Sequence, residues 1–220
     1  MKGIVSALAM SPGEDAILAA GTFTRNIALY GARGTGDFMG TWSVAKTEAD
    51  ARIGGSGVTQ LLWSPCGRYL YIAERKSRGM LVYDIRVTGQ LLGWLQGREA
   101  VTNQRMKVDI VAIGGAESHE IWAGGTDGKV RVWKDPFLTV GEQEPTYEWQ
   151  LHDGKLYLQV SCTILITSPD SVTSSVLHPN AGVLATCSGQ RHFPDFRRLD
   201  DDGEISTEYR KDNSLKIWAL

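Results

Sequence analysis

Arginines interleaved with aromatic rings near the C-terminal end form the segment best suited to ligand chemistry. The candidate binding residues are Gln190, Arg191, His192, Phe193, Arg197 and Arg198. Guanidinium groups make planar bidentate contacts to phosphate, and an aromatic ring can stack on an unpaired base. This pattern is typical of a loop that binds single-stranded RNA. The equal alternative is a solvated loop whose arginines pair with the acidic run at 200–204.

A second polar group lies between two predicted strands in the middle of the chain. Its members are Arg98, Asn103, Gln104, Arg105 and Lys107. They could contact RNA from a loop, or Asn103 and Gln104 could cap a turn while Arg105 lies over an aromatic ring. A third basic cluster, Arg75, Lys76 and Arg78, is interpreted as a solvated hairpin tip.

Motifs for catalysis are absent from the sequence. The glycine-rich run at 31–40 lacks the spacing of a phosphate-binding loop, and Ser56 lacks the glycines of a nucleophile elbow. Cys187 and His192 are close in sequence, yet no third group is placed to orient the histidine. We therefore predict no catalytic residues and no enzyme activity.

Cysteine and histidine spacing argues against a metal site or a disulfide framework. The three cysteines, Cys66, Cys162 and Cys187, form no C-x-x-C pair. His119, His152, His178 and His192 show no zinc-ligand spacing. The sequence predicts no metal and no cofactor, and it favours a reducing compartment.

Composition indicates a single globular domain without a global basic field. The 220 residues are 42% hydrophobic and 22% charged, with 23 basic and 25 acidic side chains. A net charge of −2 means that any contact with nucleic acid must be local. The longest uncharged apolar run, 156–169, is short for a membrane span and is broken by polar residues, so no membrane partner is expected.

An internal repeat is the strongest signal of fold. The segments VSALAMSP at 5–12, VTQLLWSP at 58–65 and VTSSVLHP at 172–179 each read as a strand stopped by a proline turn. Each is followed by a strand ending in small residues and then by a strand that closes on an aromatic residue. The first three closing aromatics, Tyr30, Tyr83 and Trp133, recur about every 50 residues, and Trp218 follows a longer interval.

Short strands at this period predict an all-β fold, a β-propeller with about four blades. The expected blades cover residues 3–45, 57–96, 107–152 and 171–220 of one domain, 1–220. Residues 189–213 are expected to be a long loop insertion, and 154–170 an irregular insertion. The apolar run 154–170 is either an extra edge strand or a stretch foreign to the mature protein, the second being slightly favoured.

The repeat is similar to that of WD-repeat proteins, and two segments sharpen the resemblance. GREAVTNQR at 97–105 and ATCSGQRHFP at 185–194 resemble signatures of the telomerase Cajal body protein family. The resemblance extends from Gly3 to about Leu220 and points to the C-terminal portion of that family's larger propeller. A propeller lacking its early blades would leave open sheet edges.

The resemblance implies a non-catalytic RNA-binding scaffold in the nucleus, in Cajal bodies or the nucleoplasm. Its expected partners are small nuclear RNAs of the Cajal-body type with their protein complex, telomerase RNA, and other proteins that dock on the propeller faces. It favours RNA contact by the segment 190–198. The alternative is an adaptor of a splicing-related nuclear complex that binds proteins and does not touch RNA.

Overall fold

The computed structural model shows a β-propeller-like array of antiparallel sheets. It describes residues 3–31, 33, 36–87, 89–115, 117–152, 155–160, 163–166, 171–178, 182–189, 209–210 and 213–219. Four of its sheets repeat one antiparallel pattern and are called blades one to four. The predicted all-β propeller class is confirmed.

The blade strands follow one another in chain order. Blade one contains β1 (Val5–Met10), β2 (Leu18–Thr22), β3 (Asn26–Gly31) and β4 (Asp37–Ser43), and the helix α1 (Asp50–Ile53) follows it. Blade two contains β5 (Val58–Trp63), β6 (Tyr69–Glu74), β7 (Met80–Asp84) and β8 (Leu91–Leu95). Blade three contains β9 (Val108–Ala112), β10 (His119–Gly124), β11 (Lys129–Lys134) and, after the short β12 (Gly141–Gln143), β13 (Tyr147–Gln150).

The fourth blade is preceded by a hairpin. The hairpin consists of β14 (Lys155–Val160) and β15 (Thr163–Ile166), within the segment expected to be irregular. Blade four contains β16 (Val172–Leu177), β17 (Val183–Ser188) and β19 (Leu215–Ala219) among the described residues. The two-residue strand β18 (Tyr209–Arg210) pairs with β14, so β14 lies between β15 and β18.

Alternating side chains of each inner blade fill two different cores. In β6, Leu70 and Ile72 pack in a cluster shared with blade one, while Tyr71 and Ala73 pack in a cluster shared with blade three. Successive strand residues point to opposite faces, so a strand buried on both sides must be apolar at nearly every position. This requirement explains the almost uninterrupted hydrophobic sequence of β6 and β7.

Glycines at strand ends allow neighbouring blades to approach closely. A Cβ atom on Gly21 would lie 2.6 Å from Cγ1 of Val58, the first residue of β5. A Cβ atom on Gly124 would overlap the backbone of Val172, the first residue of β16. The small residues that end these strands are therefore needed for blade packing.

Two short elements follow no repeat pattern. The helix α1 lies in the connection between blades one and two. The strand β12 runs parallel to β8 and extends the sheet of blade two with residues from blade three. A Cβ atom on Gly93 would overlap the backbone of Gly141, so this pairing needs the glycine in β8.

The first and last blades each expose an apolar face. In β1, Leu8 is 62% exposed and Met10 is 53% exposed. In β19, Leu215 and Ile217 are 65% and 70% exposed. Blades two and three have a neighbouring blade packed on each side of their inner strands.

Candidate nucleic-acid interface

The strand order places the two fully described connections between blades at one end of the strands, here called the connection face. It contains the inter-blade connections 44–57 and 96–107, the turns at 23–25, 75–79 and 125–128, and Gly189 after the end of β17. The remaining turns of each blade lie at the other end, the opposite face. Loops at one end of a propeller form a surface on which ligands commonly dock.

One predicted binding segment lies on the connection face and contacts Gly189, the residue before the other segment. Gln104 Nε2 donates a hydrogen bond of 2.9 Å to the carbonyl oxygen of Gly189. Gly189 directly precedes the candidates Gln190, Arg191, His192, Phe193, Arg197 and Arg198, which lie outside the described residues. The Lys107 amide also donates to the Thr173 carbonyl at 2.9 Å, so the connection 96–107 is fastened to blade four twice.

Arg98 lies inside the protein rather than on the surface. It is 1% exposed, and its guanidinium donates to the carbonyl oxygens of Gly124 and Met106, each at 3.1 Å. Burial lowers the pKa of Arg98 to about 10, which still leaves the group charged at neutral pH. Its contacts tie the connection 96–107 to the end of β10.

Asn103 and Arg105 are exposed on the same connection. Among the described residues, Arg105 forms no ion pair and no contact with an aromatic ring, whereas Arg75 stacks over Phe23 at 4.9 Å. The backbone amide of Gln104 donates a hydrogen bond of 3.1 Å to the Thr102 hydroxyl, so Thr102 is the residue that caps this turn. Arg105 is therefore presented to solvent by a connection that Arg98 and Gln104 hold in place.

Among the described residues, the exposed arginines of the opposite face are paired, whereas several cations of the connection face are not. On the opposite face, three exposed arginines each have a close carboxylate: Arg33 with Asp15 at 2.8 Å, Arg68 with Glu117 at 2.8 Å and Arg86 with Asp84 at 2.7 Å. On the connection face, Lys76, Arg105 and Lys107 have no ion-pair partner within the part of the chain described. The connection face therefore has cations available for an anionic ligand.

A compact ion-pair cluster of Arg25, Asp50 and Glu74 lies under the connection face, and the sequence repeat does not predict it. Arg25 donates to Asp50 at 2.5 Å and to Glu74 at 2.7 Å, joining the connection after blade one to β6. Burial alone would raise the pKa of Asp50, but hydrogen bonds from Arg25 and the Lys46 amide hold that pKa below its ordinary value. Arg25 is therefore engaged by two carboxylates, whereas Arg105 forms no ion pair with any described residue.

The two buried histidines have structural partners. His152 Nε2 lies 2.8 Å from the Thr186 hydroxyl, which also accepts a hydrogen bond of 3.0 Å from Trp218 Nε1. His119 Nε2 lies 2.6 Å from the Tyr71 hydroxyl. The described residues contain no group of three or more metal-ligating side chains. They also include no helix long and apolar enough to cross a bilayer.

The fold and repeat define the class as a WD-repeat β-propeller. Solved structures with the same fold include a chain of the mitotic checkpoint complex, with a TM-score of 0.57, 16% identity and coverage of 98% of this chain and 49% of that chain. The computationally designed Ika4 protein has a TM-score of 0.52 and 18% identity, with coverage of 100% of this chain and 93% of that chain. No protein-family model matches the sequence.

Sequence similarity identifies the family within the WD-repeat class. Telomerase Cajal body protein 1 of Mus musculus is 32% identical over 208 residues, which cover 94% of this chain and 33% of that protein. The Homo sapiens protein of the same name is 31% identical over 98% of this chain. The chain is thus a relative of the telomerase Cajal body proteins, as the sequence motifs indicate, and it spans about a third of their length.

A relative with a different name matches a shorter part of the chain. Guanine nucleotide-binding protein negative regulator 1 of Schizosaccharomyces pombe is 33% identical over 167 residues, which cover 74% of this chain and 38% of that protein.

Proposed function

We propose that the protein is a non-catalytic scaffold that binds single-stranded segments of small nuclear RNA on its connection face. The hydrogen bond between Gln104 and Gly189 carries this proposal, because it joins the residue before the exposed Arg105 to the residue that precedes the arginine-rich segment 190–198 in sequence. The names of the mammalian relatives, which refer to telomerase and to Cajal bodies, support a nuclear location and RNAs of that kind, including telomerase RNA.

In this proposal the candidate residues fall into groups with different tasks. Arg105, Arg191, Arg197 and Arg198 contact phosphate, and Phe193 stacks on a base. Asn103, Gln190 and His192 contribute polar contacts to base edges or sugar. Arg98 is buried and acts by positioning, since it holds the connection that presents Arg105. Rigid blades below the loops keep these groups in register, so recognition requires no chemistry from the protein.

Binding of a single-stranded oligoribonucleotide to the purified chain tests the proposal. We expect Arg105→Ala and Arg191→Ala each to weaken binding about tenfold, or ~1.4 kcal/mol, without changing the unfolding midpoint. Each lost phosphate contact should also flatten the salt dependence, lowering its slope by about 0.7. Lys134→Ala is the matched control, because Lys134 is an exposed cation on the opposite face. Unchanged affinity in both arginine variants at a fixed salt concentration would overturn the proposal.

The second candidate function is an adaptor that binds only proteins. It is favoured by the Schizosaccharomyces pombe relative, whose name refers to the regulation of a protein. Copurification of partners from nuclear extract, with and without ribonuclease, separates the two. Partners that remain after RNA digestion, together with no affinity for the oligoribonucleotide, support the adaptor.

A further inference from the structure

A groove on the connection face lies beside the residues assigned so far. Its volume is about 320 Å³, and it is lined by Asp50, Ala51, Arg52, Ile53, Gly54, Lys76, Arg78 and Val101. These residues come from three separate segments: α1 with its C-terminal end, the turn between β6 and β7, and the connection 96–107. Pockets of a few hundred Å³ are the usual size for binding a small organic group.

Backbone hydrogen bonds hold the three walls together. Ser77 pairs as an isolated bridge with Gly54 on one side and with Ala100 on the other. The Arg78 amide donates to the Ile53 carbonyl at 2.7 Å, and the Lys76 amide donates to the Thr102 carbonyl at 3.1 Å. The groove is therefore preformed, because its walls are joined independently of any ligand.

The charges in the groove favour an anion. Arg52 and Arg78 are 66% and 64% exposed, and their carboxylate neighbours Glu142 and Glu99 are 3.7 and 3.8 Å away, beyond hydrogen-bond distance. Exposed pairs of this kind contribute about 1 kcal/mol or less, so both guanidiniums can turn to a ligand. Lys76 has no ion-pair partner in the described part of the chain.

The carboxylate that lines the groove does not cancel this charge. Asp50 Oδ1 accepts from Arg25 Nη2 at 2.5 Å, and Asp50 Oδ2 accepts from Arg25 Nη1 at 3.2 Å. The Lys46 amide donates to the same carboxylate. Arg25 is shared between Asp50 and Glu74, so this cluster carries at most one net negative charge against the three cations of the groove.

One wall is apolar and exposed. Val101 is 55% exposed, and Ala51 is exposed beside it on α1. An inorganic anion would make no use of this surface, whereas a ribose or base could pack against it while its phosphate meets Lys76 and Arg78. The combination fits a nucleotide unit better than a free anion.

We propose that this groove binds one nucleotide of an RNA strand, with its phosphate at Arg52, Lys76 and Arg78 and its ribose or base against Val101. The assignment rests on the proposed function. Val101 lines the groove, and the Thr102 carbonyl accepts a hydrogen bond from the Lys76 amide. The chain then continues directly into Asn103, Gln104 and Arg105. A strand held at Arg105 can therefore continue into the groove along the same connection.

Fluorescence anisotropy with a labelled single-stranded oligouridylate tests the assignment on the full 220-residue chain. We expect Lys76→Ala and Arg78→Ala each to lower affinity several-fold and to reduce the salt slope by about 0.7. Val101→Ser should lower affinity while the salt slope stays that of wild type, since no ion contact is lost. Lys76→Arg should retain most of the affinity, which separates lost charge from local unfolding.

Arg68→Ala is the matched control, because Arg68 is an exposed arginine on the opposite face. If Lys76→Ala and Arg78→Ala keep the affinity and salt slope of Arg68→Ala, the groove assignment is overturned. If Arg105→Ala loses affinity in the same series, the proposed function stands without the groove. If the wild-type chain does not bind oligouridylate at low salt, both proposals fail.

Displacement of the oligouridylate by inorganic phosphate as effectively as by uridine monophosphate would show a plain anion site and would also overturn the nucleotide assignment.

Discussion

Gln104 and Gly189 are 85 residues apart in sequence and are joined by a hydrogen bond of 2.9 Å from the Gln104 side-chain amide to the Gly189 carbonyl. Gln104 belongs to the connection that leads into blade three, and Gly189 follows the last residue of β17 in blade four. The Gly189 amide in turn donates to the Ser171 carbonyl at 3.2 Å. Gly189 is thus held by the Gln104 side chain and by the Ser171 carbonyl.

Gln104→Glu should break this link. The amide donor is replaced by a carboxylate oxygen that faces the Gly189 carbonyl, so a hydrogen bond becomes a repulsion between two acceptors. We expect the free energy of unfolding to fall by about 1–2 kcal/mol. Under the proposed function, affinity for a single-stranded oligoribonucleotide should fall several-fold, because the connection that carries Arg105 loses its attachment to Gly189. Urea denaturation and anisotropy measure the two effects.

Gln104→Lys is the control for this prediction, since its ammonium can still donate to the Gly189 carbonyl. It should keep the unfolding midpoint near that of wild type. A Gln104→Glu protein with wild-type stability and wild-type RNA affinity would show that the contact has no role in placing the two segments.

The blade strands could be predicted from sequence because local signals agree with the packing. The strand before Pro65 is predicted at 58–65 and is observed as β5, Val58–Trp63. Period-two hydrophobicity and a proline stop are both properties of a few neighbouring residues. The strand β12 could not be found this way, since its three residues pair in parallel with β8 only because Gly93 leaves room for Gly141.

The candidate site was predicted only in part, for reasons of burial and distance in sequence. Residue type alone predicts Arg98 and Arg105 as equally good candidates for RNA binding. The fold, however, buries Arg98 between Gly124 and Met106 and exposes Arg105. The sequence predicts Arg75, Lys76 and Arg78 as a solvated hairpin tip, and the exposed side chains of Lys76 and Arg78 agree with this. The backbone of the same turn also bonds to Ile53 and Thr102, which lie in two other connections. Contacts between distant segments leave no local pattern to detect.

The apolar faces of blades one and four lead to a prediction about association. They lie on the outer sides of the first and last blades, so two copies of the chain can each cover the faces of the other. Burial of apolar surface stabilises such contacts by about 25 cal/mol per Å². We expect the 220-residue chain to self-associate in a concentration-dependent way in sedimentation experiments, and Leu8→Lys or Ile217→Lys to shift it towards monomer.

Leu138→Lys is the matched control, because Leu138 is 72% exposed but lies outside both faces. It should leave the sedimentation profile unchanged. A wild-type chain that remains monomeric over the full accessible concentration range would contradict the prediction.

His119 is a buried neutral base that joins blades two and three. Its ring stacks on Phe137 with centroids 5.1 Å apart, and its Nδ1 lies 2.7 Å from the Glu117 carbonyl oxygen. A carbonyl can only accept, so Nδ1 carries the proton and Nε2 accepts from the Tyr71 hydroxyl. Burial lowers the pKa of His119, although the Glu117 hydrogen bond and the charge of Asp135 act in the other direction.

This depressed pKa fixes the direction of a pH effect on stability. The unfolded chain binds a proton at His119 near pH 6.5, whereas the folded chain resists it, so the stabilising contribution is present above about pH 6.5 and is lost as pH falls towards the folded pKa. The free energy of unfolding should therefore decline below about pH 6.5, with a slope from this residue of at most about 1.4 kcal/mol per pH unit. In His119→Gln, urea denaturation should show a flatter profile between about pH 5 and 7, because glutamine cannot titrate. Parallel profiles for the two proteins would mean that His119 is protonated as easily in the folded chain as in the unfolded one.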